Sequence, residues 1–229
     1  MKELNTVIID EAQRIRGDQL KDIIEFSKEN SIQLIFSMDE NQCLSDREIN
    51  GKNKEKIIQI VDEENRFRLK DKIRTNPEIA DFIKNLFTRN PSTGLIENPD
   101  QNIQVKFFGS YEEGEAFINK LETKGWESIT YATSTHSPDA LELLTMGIQR
   151  TSHKVIGQEF DKVVVVLDSN FKYIYDDKNI ARLTVNENTY YHAENMLLQN
   201  LTRTRRKLFL VIIENKELFV EITKLLKIF

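Results

Sequence analysis

Apolar residues cluster in short runs separated by stretches of helical period. The strand-length runs are "TVIID", "QLIFSMD", "IQVKFF", "SITYATS", "KVVVVLD" and "KLFLVII". Their β-branched and aromatic content predicts strands. Between them, residues 18–28, 76–87, 111–121 and 192–202 repeat apolar positions at the spacing of one helix face. Strands alternating with helices predict parallel sheets covered by helices, a doubly wound α/β design. Asn76 before Pro77 suits a helix N-cap followed by the first helical position, and Ser110 with Glu113 reads as a capping box. Residues 88–102 hold two of the four prolines and predict a surface loop. From 171 to 191, aromatic and β-branched residues alternate with polar ones around "YDDKN", which predicts a β-hairpin.

Composition narrows the setting. A chain of 229 residues, 39% hydrophobic, can fill one large α/β core or two small ones. The lone Cys43 cannot form an internal disulfide, and there is neither a secretory leader nor a run of about 18 apolar residues. A reducing cytoplasm without membrane contact is therefore expected. Net charge is −5, so contact with nucleic acid must come from a local patch. "RFRLKDKIR" and "RTRRK" are the basic candidates, and both also suit solvated faces.

Candidate chemistry gathers at strand ends. Open parallel sheets present their C-terminal ends to ligands; one acid there can hold magnesium and another can take a proton from attacking water. Asp10 and Glu11 follow the first apolar run, and they equally suit a helix start with acids at its dipole. The second run ends "FSMDENQ", bringing Asp39 and Gln42. A glutamine there can bond a terminal phosphate or its attacking water, or simply close an Asx-turn.

Taken in order, these segments resemble a known set. "VIIDEAQ" is similar to motif II of superfamily 1 helicases of the Rep/UvrD type, "IFSMDENQ" to motif III and "KIRTNPEIADFI" to motif IV. "ITYATSTHS" resembles the strand after motif IV, "TSHKVIGQEFDKVVVV" motif V and "LLQNLTRTRRKLFLVI" motif VI. The resemblance implies RecA-like parallel sheets flanked by helices, with a partial first domain over residues 1–65 and a complete second over 66–229. It implies that Asp10 binds magnesium, that Glu11 activates water, and that Gln13 and Gln42 lie near the γ-phosphate as hydrolysis sensors, with Asp39 among the nucleotide-binding residues. Arg74 and Arg203 would be arginines reaching the phosphates, whose accumulating charge suits guanidinium donors. Glu159 would contact the ribose beside Gly157, which permits a tight turn, and Thr151 and His153 would sit by the nucleic-acid backbone. ATP, magnesium and single-stranded DNA or RNA are the ligands the resemblance implies. The candidate hairpin resembles that of uncharacterised bacterial ATP-binding proteins that join helicase motifs to other domains, a group with Schlafen-like relatives.

The sequence departs from that pattern in two places. Motif V carries Val155 and Ile156 where the family has a small or polar residue and then lysine or glutamine, which puts nucleic-acid contact there in doubt. No G-x-x-x-x-G-K-[ST] occurs among the 229 residues, so the loop that cradles β and γ phosphates is missing. A fragment is expected, inactive alone in ATP hydrolysis, with an exposed sheet edge inviting self-association. The alternative is a non-hydrolysing RecA-like binding or regulatory module. A metal-dependent nuclease is a third reading, from the acid-x-lysine spacing of "ETK" at 122–124 and "ENK" at 214–216.

Overall fold

A computed structural model describes residues 5–39, 42–68, 75–89, 102–134, 139–185 and 189–226. The chain divides into two compact units, Met1–Lys70 and Asp71–Phe229.

In the first unit, β1 (Thr6–Ile9) leads through a one-turn 3-10 helix (Ala12–Arg14) into α1 (Gly17–Glu29) and back to β2 (Gln33–Phe36). The strands are parallel, with Thr6 opposite Gln33 and Ile9 opposite Phe36. Side chains alternate across a strand, so one face carries Ile9 and Phe36, which pack on Ala12, Leu20 and Ile57. The other face is open among the described residues: Ile8 is 71% exposed and Ile35 45%. Helices α2 (Asp46–Asn50), capped by Ser45, and α3 (Asn53–Ile60) complete the unit. The sequence reading missed both, because their largely charged residues bury only Asn53 and Ile57.

The second unit is built on four parallel strands in the order β4 (Ile103–Phe108), β9 (Thr204–Ile213), β6 (Phe160–Leu167), β5 (Glu127–Ile129). The central strands β6 and β9 contain the unbroken apolar runs 163–167 and 208–213, all buried, as strands covered on both faces require. Helix α5 (Tyr111–Glu122) sets Phe117 against Phe108 and Phe209, at 5.0 and 5.2 Å between centroids. Helix α7 (Lys216–Leu225) sets Phe219 against Phe107 at 5.9 Å. Phe107 and Phe108 are successive strand residues, so α5 and α7 lie on opposite faces. Helices α4 (Pro77–Phe87) and α6 (Ala193–Thr202) pack on each other, and α4 packs on α7, which assigns both to the α7 face. The fold is thus α/β, a parallel sheet flanked by helices, consistent with the RecA-like type.

Local chemistry explains the boundaries. Asn76 Oδ1 accepts the Glu78 N–H at 2.9 Å, with Pro77 in the first turn, and Ser110 Oγ accepts the Glu113 N–H at 3.3 Å. The Glu113 carboxylate reaches back to the Gly109 N–H, one residue short of a full capping box. The expected hairpin is present as β7 (Phe171–Tyr175) and β8 (Ala181–Val185), turned by Asp176 Oδ1, which accepts from the Lys178 and Ile180 N–H groups. The expected loop begins with a short strand, β3 (Thr88–Arg89), that pairs with β8; its residues 90–101 lie outside the described residues. The strand expected over 128–134 stops at Ile129: the next carbonyl, of Thr130, is taken by the Ser152 N–H and by Asn200 Nδ2 instead of a ladder.

Candidate functional site

The first unit brings its acids and amides together at the C-terminal ends of β1 and β2. Asp10 is exposed, and its Oδ1 accepts the Glu11 N–H at 3.0 Å. No helix starts at these acids: Glu11 sits in the left-handed region, φ 54° and ψ 41°, ahead of a single 3-10 turn. Two donors converge on Glu11 Oε2, Gln13 Nε2 at 2.6 Å and Arg14 Nε at 3.1 Å, leaving Oε1 without a donor among the described residues. Buried Gln13 then spans the two strand ends, because its Oε1 accepts the Asp39 N–H at 3.1 Å. Gln42 Nε2 donates to Asp39 Oδ2 at 2.9 Å, and its own Oε1 is buried without a partner.

Arg14 and Asn53 escaped the sequence reading. Arg14 Nη2 donates to the Gln42 carbonyl at 2.8 Å, and Nη1 lies 3.5 Å from Glu48 Oε1. One guanidinium therefore joins the β1 turn to the β2 loop. Its position three residues after Glu11 was the available signal. Asn53 Nδ2 donates to the Ala12 and Ile15 carbonyls, at 3.0 and 2.7 Å, and so holds the turn from α3. Its partners are carbonyls about forty residues away, which no local pattern announces.

In the second unit the candidates gather at the opposite end of the strands. Glu159 immediately precedes β6, Arg203 immediately precedes β9, and the Phe160 N–H donates to the Arg203 carbonyl at 2.9 Å. Arg203 is buried at the C-terminus of α6, with Nη1 donating to the Gln158 carbonyl at 3.3 Å. Glu159 lies 3.9 Å from Arg205, and Gly157 turns the chain with φ +73°. Arg74 lies outside the described residues. Thr151 bridges to Thr130, and His153 packs on Tyr191 with ring centroids 4.5 Å apart.

Residues 1–141 match the model of a known family, described as Schlafen group 3, DNA/RNA helicase domain. The chain belongs to that family. No curated protein matches it. The matched residues of this Schlafen group 3 chain take in the whole first unit and the strands and helices of the second as far as β5. Thr151, His153, Gly157, Glu159 and Arg203 lie beyond them.

Parts of both basic runs of this Schlafen-family chain carry structural duties. Arg66 donates to the Ile58 and Val61 carbonyls at the end of α3, while residues 69–74 lie outside the described residues. Arg205 and Arg206 flank Asp161 at 3.9 and 3.7 Å. No helix among the described residues is long and apolar enough to cross a membrane. The nuclease reading gains nothing from the geometry: Glu122 accepts a hydrogen bond from Ser128 at the end of α5, and the described residues contain no group of three His, Cys, Asp or Glu side chains placed to hold a metal. That absence is compatible with magnesium delivered by a nucleotide, which keeps several waters and phosphate oxygens and asks one or two carboxylates of the protein. Asp10 fits that demand.

A separate polar cluster, also missed, lies at the other end of the second sheet. Buried Asp168, at the end of β6, accepts from Tyr111 Oη at 2.8 Å and from the Asn170 N–H and Nδ2, each at 3.0 Å. Burial raises its carboxyl above the ordinary range against those bonds, and burial together with Asp168 raises the Tyr111 phenol. Asn215 Nδ2 donates to the Asp168 and Phe171 carbonyls, fastening α7 to the same point.

Proposed function

We propose that this chain supplies the water-activating and arginine-bearing parts of a nucleic-acid-dependent ATP motor of the superfamily 1, Rep/UvrD type. Met1–Lys70 would be part of its first RecA-like domain and Asp71–Phe229 its second. The observation that carries the reading is the state of Glu11. One carboxylate oxygen is fixed by Gln13 and Arg14, and the other has no donor among the described residues, beside an exposed Asp10. Such a carboxylate is oriented but still able to take a proton, which a general base requires.

Bound magnesium would neutralise charge on the transferred phosphoryl group, and Asp10 would hold it. Glu11 accepts the proton of the attacking water through Oε1. Gln42, with Gln13 and Asp39, forms a linked set whose bonds would report loss of the terminal phosphate. On the second unit, Arg203 and Arg74 would meet the phosphate charge, Glu159 the ribose beside the Gly157 turn, and Thr151 with His153 the backbone of DNA or RNA. Hydrolysis further needs a phosphate-cradling loop, which these 229 residues do not contain. Alone, the chain is expected to hydrolyse ATP negligibly, since that loop supplies contacts in both ground and transition states.

The test is hydrolysis by a polypeptide that joins these residues to such a loop, with and without single-stranded nucleic acid. Stimulation that disappears in Glu11→Gln supports the motor. Hydrolysis indifferent to Glu11→Gln refutes it.

A further inference from the structure

Three aromatic rings meet at the surface of the second unit, from two segments far apart in sequence. His153 and Tyr191 lie 4.5 Å apart at 62°, and Tyr191 and Tyr190 lie 4.8 Å apart at 87°. Tyr190 is 65% exposed, whereas Tyr191 and His153 are half-buried. One exposed tyrosine needs no explanation. A run of three touching rings, held from both sides and ending in an exposed one, has a different character.

The anchoring comes from both segments. The Tyr190 N–H donates to Oδ2 of buried Asp139 at 3.2 Å, and Oδ1 of the same carboxylate accepts the Leu141 N–H at 3.0 Å. Two residues after Tyr190 the chain enters α6, with His192 at its N-cap. On the other side, the His153 turn is tied to the residue after β5 by the Ser152 N–H and Oγ, which both donate to the Thr130 carbonyl, at 2.9 and 3.1 Å. That same carbonyl accepts Asn200 Nδ2 from α6 at 3.1 Å. A ligand meeting this surface therefore orders little that is not already ordered, which lowers the entropic cost of binding. Beside His153, Lys154 is exposed and has no carboxylate partner among the described residues.

Pre-ordered aromatic surface, with an exposed lysine one residue along the chain from its inner ring, matches the requirements of a single strand. Every base has a π-face, and that face is accessible only where bases are not stacked in a duplex. A chain of net charge −5 draws little affinity from phosphate attraction alone, so stacking carries a larger share. We propose that Tyr190, supported by Tyr191 and His153, stacks on a base of single-stranded nucleic acid while Lys154 pairs with a phosphate of the same strand. This rests on the nucleic-acid reading given above and names the residues that grip the bases, in addition to Thr151 on the backbone.

The experiment is titration of fluorescein-labelled single-stranded oligoadenylate, in deoxy and ribo form, read by anisotropy. Tyr190→Ala and Tyr190→Leu weaken binding about tenfold, while Tyr190→Phe, which keeps the ring, stays within about twofold of the unaltered chain. Tyr190→Trp provides a direct signal: its emission is quenched on adding strand, over the background of buried Trp126. Loss with one sugar alone identifies that strand as the ligand and still requires Tyr190. Binding by the unaltered chain that Tyr190→Ala and Tyr190→Leu leave unchanged, with no quenching in Tyr190→Trp, overturns the stacking and spares the motor. An unaltered chain that binds neither oligonucleotide overturns both.

Discussion

Glu11 adopts a left-handed backbone, φ 54°, that costs a non-glycine residue roughly 1 kcal/mol or more. The surrounding bonds hold it there: Arg14 and Gln13 grip the carboxylate, and Asn53 grips the carbonyls of the turn that follows. The acids themselves were legible as polar residues closing an apolar run. Their supports were less so: Arg14 showed only as a base three residues after Glu11, and Asn53 works through carbonyls that only the folded chain brings near. Asp168 was likewise read only as the last letter of a strand. Burial raises its carboxyl above the ordinary 3.8 despite the bonds from Tyr111 and Asn170. The folded chain thus holds this proton more tightly than the unfolded chain does, so the group's contribution to stability is largest below 3.8 and falls as pH rises from there through the raised value. Urea unfolding from about pH 3 to about pH 7 should show this fall in the unaltered chain and lack it in Asp168→Asn. Parallel pH profiles for the two would contradict the account.

Among the elements, those with strong local signals were legible. The N-caps at Asn76 and Ser110, the turn at Asp176 and the buried run 163–167 all follow from nearest-neighbour chemistry. Helix α7 carries such a signal too, with Asn215 capping ahead of buried Leu218, Ile222 and Leu225. Helices α2 and α3 were illegible for a physical reason: their attachment is polar, through Asn53, more than apolar. Asn53→Ala should therefore lower stability by about 1–3 kcal/mol, the cost of leaving buried carbonyls unpaired. Urea unfolding followed by circular dichroism should show the loss. Fluorescence of Trp126, which packs on Phe209 in the second unit, should keep its midpoint, because each unit has its own core. An equal shift by both probes would mean that the units unfold as one.

For the whole molecule, net charge of −5 and an open sheet face pull in different directions. Ile8 and Ile35 lie side by side on parallel strands and face solvent among the described residues, with β1 paired only to β2. Such a face favours self-association. Light scattering should show mass rising with concentration, and Ile8→Lys, which adds a charge to the patch, should suppress the rise; a clean monomer at high concentration would count against it. Membership of the Schlafen group 3 helicase-domain family agrees with the α/β sheets, while the division of labour between the units remains the proposal to be tested. The most direct test is steady-state ATP hydrolysis by a polypeptide that joins these residues to a phosphate-cradling loop, in the presence of single-stranded nucleic acid. The account predicts stimulated hydrolysis that falls by about a hundredfold or more in Glu11→Gln and in Arg203→Ala. Equal rates in Glu11→Gln, with no response to the strand, would contradict it and leave a binding platform that does not hydrolyse.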